Sequence, residues 1–314
     1  MINIGLLGFG TVAGAFYDLV EENKEALEKL TGQEIKIKKI LVRNPEKYKR
    51  CKDLLTTDPE EIFADEKINL IVEATGEVEN LHKNIETALK NGVNVISANK
   101  ALVSKYLQAL LLACEKGKAQ LKFEGAVGGA IPILSQIDKL KAAGGVKSVT
   151  GVLNGTSNFI LNQMEEGLSF ESALKLAQEK GYAEADPSAD IDGIDTKRKL
   201  NILASLLFEK PFDEETIATE GIRNIDETHI KSALEKNKTI KLLAYGDKDG
   251  NFYVRPEEVD RNSIIGSLAG GENAVVIETT NPGQIVLKAL GAGGRETAYS
   301  LVSDLIDIYT IDSL

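Results

Sequence analysis

Short apolar runs alternate with longer amphipathic stretches over the first 130 or so residues. INIGLLG (2–8) reads as a buried strand, and the stretch after it as an amphipathic helix to about Leu30. EIKIKKILVRN (34–44) and INLIVEAT (68–75) read as strands, 79–91 as a helix, and VNVISA (93–98) as a strand. LVSKYLQALLLACEKG (102–117) is the next helix and AQLKFEG (119–125) the next strand. Strand–helix alternation of this kind implies right-handed crossovers and a parallel sheet. Further on the rhythm changes. VKSVTGVLN (146–154) is a strand, a polar turn then opens the helix NFILNQMEEG, and 196–208 is a helix followed by a polar linker through Phe212. TIKLLAYGDK, NFYVRPEEV and NAVVIETT are strands separated by Gly-rich turns, and ETAYSLVSDLIDIY is a closing helix. The expected fold is α/β: a parallel-sheet domain followed by an α+β domain.

The stretch GYAEADPSADIDGIDTKRKL (181–200) breaks the hydrophobic pattern in an unusual way. It crowds Glu184, Asp186, Asp190, Asp192 and Asp195 into a Gly/Pro-broken loop and then opens a helix, with Asp195 expected at its N-cap. Lys199 lies four residues on, hence on the same face as Asp195. Ile202, Leu203 and Leu206 fall three, four and seven residues further on, so that face is apolar. Lys197 and Arg198 are expected to point away toward solvent. Burial lowers the pKa of such a lysine and a carboxylate raises it again, which suits a proton donor near neutral pH. A buried structural ion pair, or a lysine that snorkels out of the core, fits the same spacing.

The chain's 314 residues suffice for two domains, and 43% hydrophobic with 27% charged residues is ordinary for a globular protein. A net charge of −11 without a basic stripe argues against nucleic acid as a partner. No secretory signal opens the chain and no apolar run approaches a membrane span, so no membrane association and a cytoplasmic location are expected. Cys51 and Cys114 suit a reducing compartment and resemble neither a disulfide, a zinc site nor a nucleophile. Asn154-Gly155-Thr156 matches a glycosylation sequon that, without a signal, is expected to be accidental.

Gly8-Phe9-Gly10-Thr11-Val12-Ala13 is G-x-G-x-x-A between a strand and a helix, the form that brings backbone close to a pyrophosphate. A tight turn with no ligand is the bland alternative. The second strand ends in Val42-Arg43-Asn44 and offers no acidic residue for a ribose hydroxyl. Arg43 can instead hold a 2′-phosphate bidentately, which leans the cofactor toward NADP over NAD. Thr75 and Lys100 follow strands directly, in loops where open α/β sheets bind ligands. Glu124, in FEGAVGGAIP, lies beside several carbonyls. This is either a small-cation site of oxygen ligands or a hinge between domains. The hydroxyls and amides of Thr156 to Asn158 either contact substrate or cap their helix.

Seven blocks in order, GLLGFGTV, VEATGE, VISANKALV, FEGAVGGAIPIL, GVLNGTSNFIL, GYAEADPSADIDGIDTKRKLNILASL and LGAGGRETAYSLVSDL, make the sequence resemble homoserine dehydrogenase over essentially its whole length. The resemblance implies NAD(P)-dependent interconversion of L-homoserine and L-aspartate 4-semialdehyde. It implies a Rossmann-type domain (1–132, completed by 290–314 through the returning last helix) and a substrate and dimerisation domain (133–289), hence a homodimer. By the same resemblance Lys199 is the proton donor, and Asp195 and Glu184 hold substrate with Asp190 nearby. Lys100 stands between cofactor and substrate, and Thr156 lies at the substrate. Gly8 to Val12, Arg43, Thr75, Gly293 and Thr297 meet the cofactor. Glu124 and the carbonyls of Val127, Gly129 and Ile131 form a sodium site. Two positions depart from the family pattern: Ala13 where glycine is usual, and Glu296 where proline is usual. No C-terminal regulatory domain follows the last helix, so feedback inhibition through one is not expected.

Three other readings stand beside this one. An aspartate-semialdehyde dehydrogenase needs an activated cysteine in its second half, whereas both cysteines fall in the first 114 residues. An amino-acid dehydrogenase that releases ammonia fits the scaffold. A nucleotide-sensing module without catalysis requires Lys199, Asp195 and Glu184 to be structural.

Overall fold

The computed structural model describes residues 1–209 and 213–310. The end of the expected linker, through Phe212, lies outside the described residues. Chain contacts divide the protein into two compact units: Met1–Ala126 with the chain from Gly293 onward, and Val127–Ala292.

In the first unit β1 (Ile2–Leu7) leads into α1 (Thr11–Glu22), α2 (Lys24–Thr31) and β2 (Ile35–Leu41). The single helix expected to Leu30 is broken at Asn23. The Asn23 side-chain amide donates to the Leu19 carbonyl at 2.8 Å, beside its own N–H at 3.1 Å, and this local bonding competes with continuation of the helix. Then come β3 (Leu55–Thr56), α3 (Glu60–Phe63), β4 (Leu70–Glu73), α4 (His82–Lys90), β5 (Asn94–Ser97), α5 (Lys100–Gly117) and β6 (Leu121–Lys122). All six strands are parallel, in the order β3-β2-β1-β4-β5-β6. The strand order reverses beside β1, where open α/β sheets bind ligands. Phe16 and Val20 of α1, with Ala298, Leu301 and Leu305 of the closing helix (Gly294–Tyr309), cover one face of this sheet. Ile85, Leu89, Leu102 and Leu110 of α4 and α5 cover the other.

The second unit holds α6 (Ile137–Lys139), β7 (Val146–Val152), α7 (Gly155–Glu165), α8 (Phe170–Glu179), α9 (Ser188–Ile191), α10 (Ile194–Leu207), β8 (Ala218–Thr219), α11 (Glu227–Glu235), β9 (Lys238–Asp247), β10 (Phe252–Asp260), β11 (Glu272–Thr279) and β12 (Gln284–Leu290). Its sheet runs β12-β11-β7-β9-β10-β8, antiparallel except for the short β10–β8 pairing. β7 sits inside this sheet, between β11 and β9, so the residues that follow it emerge beside the helices.

A lysine is buried in the middle of this sheet. Lys241 on β9 is fully buried, and its Nζ donates to Asn158 Oδ1 at 2.8 Å and to the Leu268 carbonyl at 2.6 Å. Burial, partly offset by the Glu165 carboxylate, pushes its pKa down to about 8 from 10.5. Between these two values the unfolded chain binds more protons than the folded one, so stability rises with pH in that window. The rise is at most roughly 3 kcal/mol. Urea titrations between pH 8 and 10.5 are expected to show it in the wild type and not in Lys241→Met; parallel slopes would remove the buried ammonium from this account.

Candidate active site

Of the residues in the acidic stretch, Asp190, Asp195 and Lys199 meet at the C-terminal end of β7, while Asp186 bonds Ser188 and Asp192 pairs with Arg223 at the surface. Gly193, with φ of 79°, turns the chain into α10. Asp195 is therefore the second residue of the helix and not its N-cap, as the sequence had suggested. Its carboxylate meets Lys199 and Asn154. Asp195 Oδ2 lies 2.9 Å from Lys199 Nζ, and both residues are only 6% exposed. Lys199 Nζ also donates to the Leu153 carbonyl at 2.6 Å, just past the end of β7. A buried ammonium is thus held by one carboxylate and one carbonyl, and the apolar face is confirmed by Ile202 and Leu203 at 0% exposure.

The expectation that Lys197 is solvated fails. Lys197 is 7% exposed and reaches Glu215 at 3.4 Å, and Arg198 approaches Glu214 at 3.7 Å. The segment Glu214–Thr216 lays two glutamates along that side of α10, so the whole helix is covered.

The polar turn expected before NFILNQMEEG is the first turn of α7. Asn154 is its N-cap, with Oδ1 accepting from the Ser157 N–H at 2.8 Å. Asn154 Nδ2 donates to Asp190 Oδ1 at 2.6 Å and to Asp195 Oδ2 at 3.0 Å. This amide nitrogen, the one a sequon would glycosylate, is engaged in a residue only 4% exposed. The sequence marks Asn154 only as a sequon asparagine at the end of a strand, and not as a site residue. Thr156 is buried, and its hydroxyl donates to the Tyr182 carbonyl at 2.6 Å, which anchors the loop carrying Glu184. Glu184 itself is exposed. Behind α9, the Ile222 N–H donates to the Ile191 carbonyl at 2.7 Å. A Cβ on Gly221 would stand 2.2 Å from that carbonyl oxygen and 2.5 Å from the Asp192 Cα.

In the first unit the candidate cofactor residues gather where β1, β4 and β5 end. Gly8 has φ of 94° and packs against Ala74, so its backbone geometry excludes other residues. Gly10 is the N-cap of α1, makes no side-chain cap, and has open space where a Cβ would stand. An open helix start of this kind suits a phosphate. The Phe9 side chain is buried against Tyr17 and Tyr48, so only its backbone is available to a ligand. Thr11 is exposed and Val12 half-buried. Glu73, fully buried at the end of β4, ties two loops together. Oε1 accepts from the Thr75 N–H at 2.8 Å and its hydroxyl at 2.7 Å, while Oε2 accepts from the Ser97 hydroxyl at 2.6 Å. Ser97 in turn accepts from the Asn99 N–H at 3.1 Å. Asn99 caps α5, whose first residue is Lys100. Sequence reading took this glutamate for part of an apolar strand.

Arg43 is exposed and paired with Glu77 at 2.5 Å. Gly293 and Thr297 open the closing helix, and Gly294 packs so closely on Thr11 that a Cβ would stand 2.4 Å from its methyl. Glu124 is 3% exposed, and its N–H donates to Asp304 Oδ2 at 3.0 Å. Burial first, and the Glu124 carboxylate second, raise the Asp304 carboxyl well above the usual carboxylate range. In the second unit Gly129 takes φ of 60° and the Ile131 N–H donates to the Gly128 carbonyl at 3.0 Å, a tight turn. Among the described residues no cluster of three or more His, Cys, Asp and Glu side chains is arranged to hold a metal. Cys114 has its thiol pushed up to about 11 by burial, which disfavours a thiolate nucleophile there.

A doubly wound sheet with an uncapped helix start at its first turn, and a buried ammonium on a separate unit, define a nicotinamide-dependent oxidoreductase. The family model for the NAD-binding domain of homoserine dehydrogenase matches residues 8–124, and that for homoserine dehydrogenase matches 132–306. The homoserine dehydrogenase of Neisseria gonorrhoeae is 36% identical over 98% of this chain and 72% of its own. The structure of a homoserine dehydrogenase from Thiobacillus denitrificans superposes with a TM-score of 0.94 at 36% identity, over 98% of this chain and 73% of that one. A hyperthermophilic archaeal homoserine dehydrogenase in complex with NADPH gives 0.84 at 28% identity, over 98% and 97%. The chain belongs to the homoserine dehydrogenase family. It is an oxidoreductase that uses NAD(P) and acts on a small molecule. Among the described residues no helix is long and apolar enough to cross a membrane.

Proposed function

We propose that this chain interconverts L-homoserine and L-aspartate 4-semialdehyde with Lys199 as its acid and base. The observation that carries this is the placement of Lys199 Nζ, buried between the Leu153 carbonyl and the Asp195 carboxylate. NAD(P)H, when bound, supplies the hydride that reduces the aldehyde carbon. Lys199 gives its proton to the carbonyl oxygen as negative charge builds there, and takes it back from the hydroxyl in the oxidative direction. Asp195 orients the ammonium, 2.9 Å away. Asp190 and Glu184 offer carboxylates to the substrate's α-ammonium, with Thr156 beside them. Lys100 adds positive charge near the reacting oxygen.

Gly8, Phe9, Gly10, Thr11 and Val12 would hold the pyrophosphate through backbone and the start of α1. Thr75, Gly293 and Thr297 would meet the nicotinamide side. Arg43 would take the 2′-phosphate of NADP, leaving Glu77 for the stronger anion. Glu124 with the carbonyls of Val127, Gly129 and Ile131 is a donor set for a hard cation such as Na+. The active form is a homodimer of a cytoplasmic enzyme.

The test follows absorbance at the reduced nicotinamide with homoserine or the semialdehyde, NADP and NAD in parallel. Turnover with NADP favoured is expected, and Arg43→Asp is expected to move the preference toward NAD. An unchanged preference ratio removes Arg43 from the cofactor site, and absence of turnover with both substrates defeats the assignment.

A further inference from the structure

The amide of Asn154 sits at the centre of the substrate-side cluster. It is bonded to both flanking carboxylates: Nδ2 donates to Asp190 Oδ1 at 2.6 Å and to Asp195 Oδ2 at 3.0 Å. The second of these oxygens is the one that holds Lys199 at 2.9 Å. Oδ1 points the other way and caps α7 through the Ser157 N–H at 2.8 Å. The carbonyl immediately before it in the chain, that of Leu153, receives Lys199 Nζ at 2.6 Å. One dipeptide at the end of β7 therefore fixes the ammonium directly and its carboxylate partner through a side chain.

The chemistry of an amide suits this role. Asp190 and Asp195 carry like charges, and only a donor with two N–H groups on one nitrogen can satisfy one oxygen of each from a single position. A lysine or arginine there would compete with Lys199 for Asp195. An acid would add a third negative charge. The cap alone does not explain asparagine, because serine, threonine and aspartate cap as well. Nor is a substrate contact needed, since both amide protons are already given to protein oxygens.

We infer that Asn154 is a positioning residue for the reaction: it sets the spacing of Asp190 and Asp195, and through Asp195 the direction of the Lys199 ammonium. The inference rests on the role proposed above for Lys199. A misplacement of about 1 Å in such a group costs about 100-fold in rate.

The test separates capping from positioning. Asn154→Ser keeps an oxygen to cap α7 and removes the two-donor amide; Asn154→Thr is a parallel variant with the same logic, and Asn154→Ala removes both functions. Asn154→Ser is expected to bind NADPH as the wild type does, with kcat about 100-fold lower and a raised KM for homoserine. Asp195→Asn and the double variant close a cycle. If Asn154 acts by holding Asp195, the second substitution costs far less in the background of the first than alone. Wild-type kcat and KM in the serine and threonine variants, or losses that simply multiply, would overturn the inference. Full turnover in Lys199→Ala would instead sink the reading beneath it, so the two failures are told apart.

Discussion

Lys199→Ala is expected to lower kcat by about 1,000-fold or more in both directions, while the Kd for NADPH stays as it was. General acid–base groups contribute about 100- to 10,000-fold, and charge stabilisation at the developing alkoxide adds to that. Lys199 is 6% exposed, so bulk water does not readily stand in for its ammonium. The residues proposed to hold the cofactor lie on the other unit of the chain, hence the unchanged affinity. Removing one member of a buried pair leaves Asp195 uncompensated, which costs about 3–5 kcal/mol when nothing else satisfies the charge. Asn154 still donates to Asp195 here, so a smaller loss is expected. NADPH binding, measured by fluorescence, doubles as the check that the variant is folded. Lys199→Arg should rescue little: the guanidinium keeps its charge but does not release a proton near neutral pH. A kcat within tenfold of the wild type in Lys199→Ala would end the assignment.

The second large effect is expected at a residue far from any chemistry in sequence. Gly221→Ala puts a methyl group 2.2 Å from the Ile191 carbonyl oxygen, with the Asp192 Cα at 2.5 Å. Both obstacles are backbone and neither can swing aside, so α9 must move or the segment carrying Gly221 must. Overpacking of this kind costs about 1–3 kcal/mol. The shift is delivered to Asp190, one residue before Ile191, and Asp190 shares the Asn154 amide with Asp195. We therefore expect a lower urea midpoint together with a kcat reduced at least tenfold, a misplacement effect. An alanine variant with an unchanged midpoint and unchanged kcat would show that the loop yields at no cost.

Much of this was legible in the sequence because the pattern had a single period at each place. The first sheet's longer strands were short apolar runs alternating with helices, and that alternation implied a parallel sheet; the two-residue β3 was too short to leave a pattern. Lys199 stood out because a charged residue fell on an apolar helical face. What stayed hidden was of another kind. Asp195 looked like a cap because sequence records a residue type and not the direction of its carboxylate; Gly193 with its positive φ took that position. Lys197 looked solvated because the glutamates that cover it arrive from residues 214–216, beyond the reach of any local pattern. Asn154 and Glu73 were missed for a shared reason. Each is a polar residue at a strand end whose partners come from two or three separate loops, and only the folded chain brings those together. β12 escaped because its seven residues alternate weakly and run straight into a Gly-rich turn.

The closing helix carries a consequence for how the protein is made. Ala298, Leu301, Leu305 and Ile308 fill the same core as Ile2, Ile4 and Phe16, although nearly the whole chain separates them. The first portion to leave the ribosome thus has to wait with one side of its sheet only partly covered. The portion between, which ends at Ala292, already possesses every strand it needs. Synthesis from the N-terminus usually lets the earliest domain mature first; here the order is inverted, and a nascent chain halted near residue 292 should protect its later half from protease while its opening half is still digested.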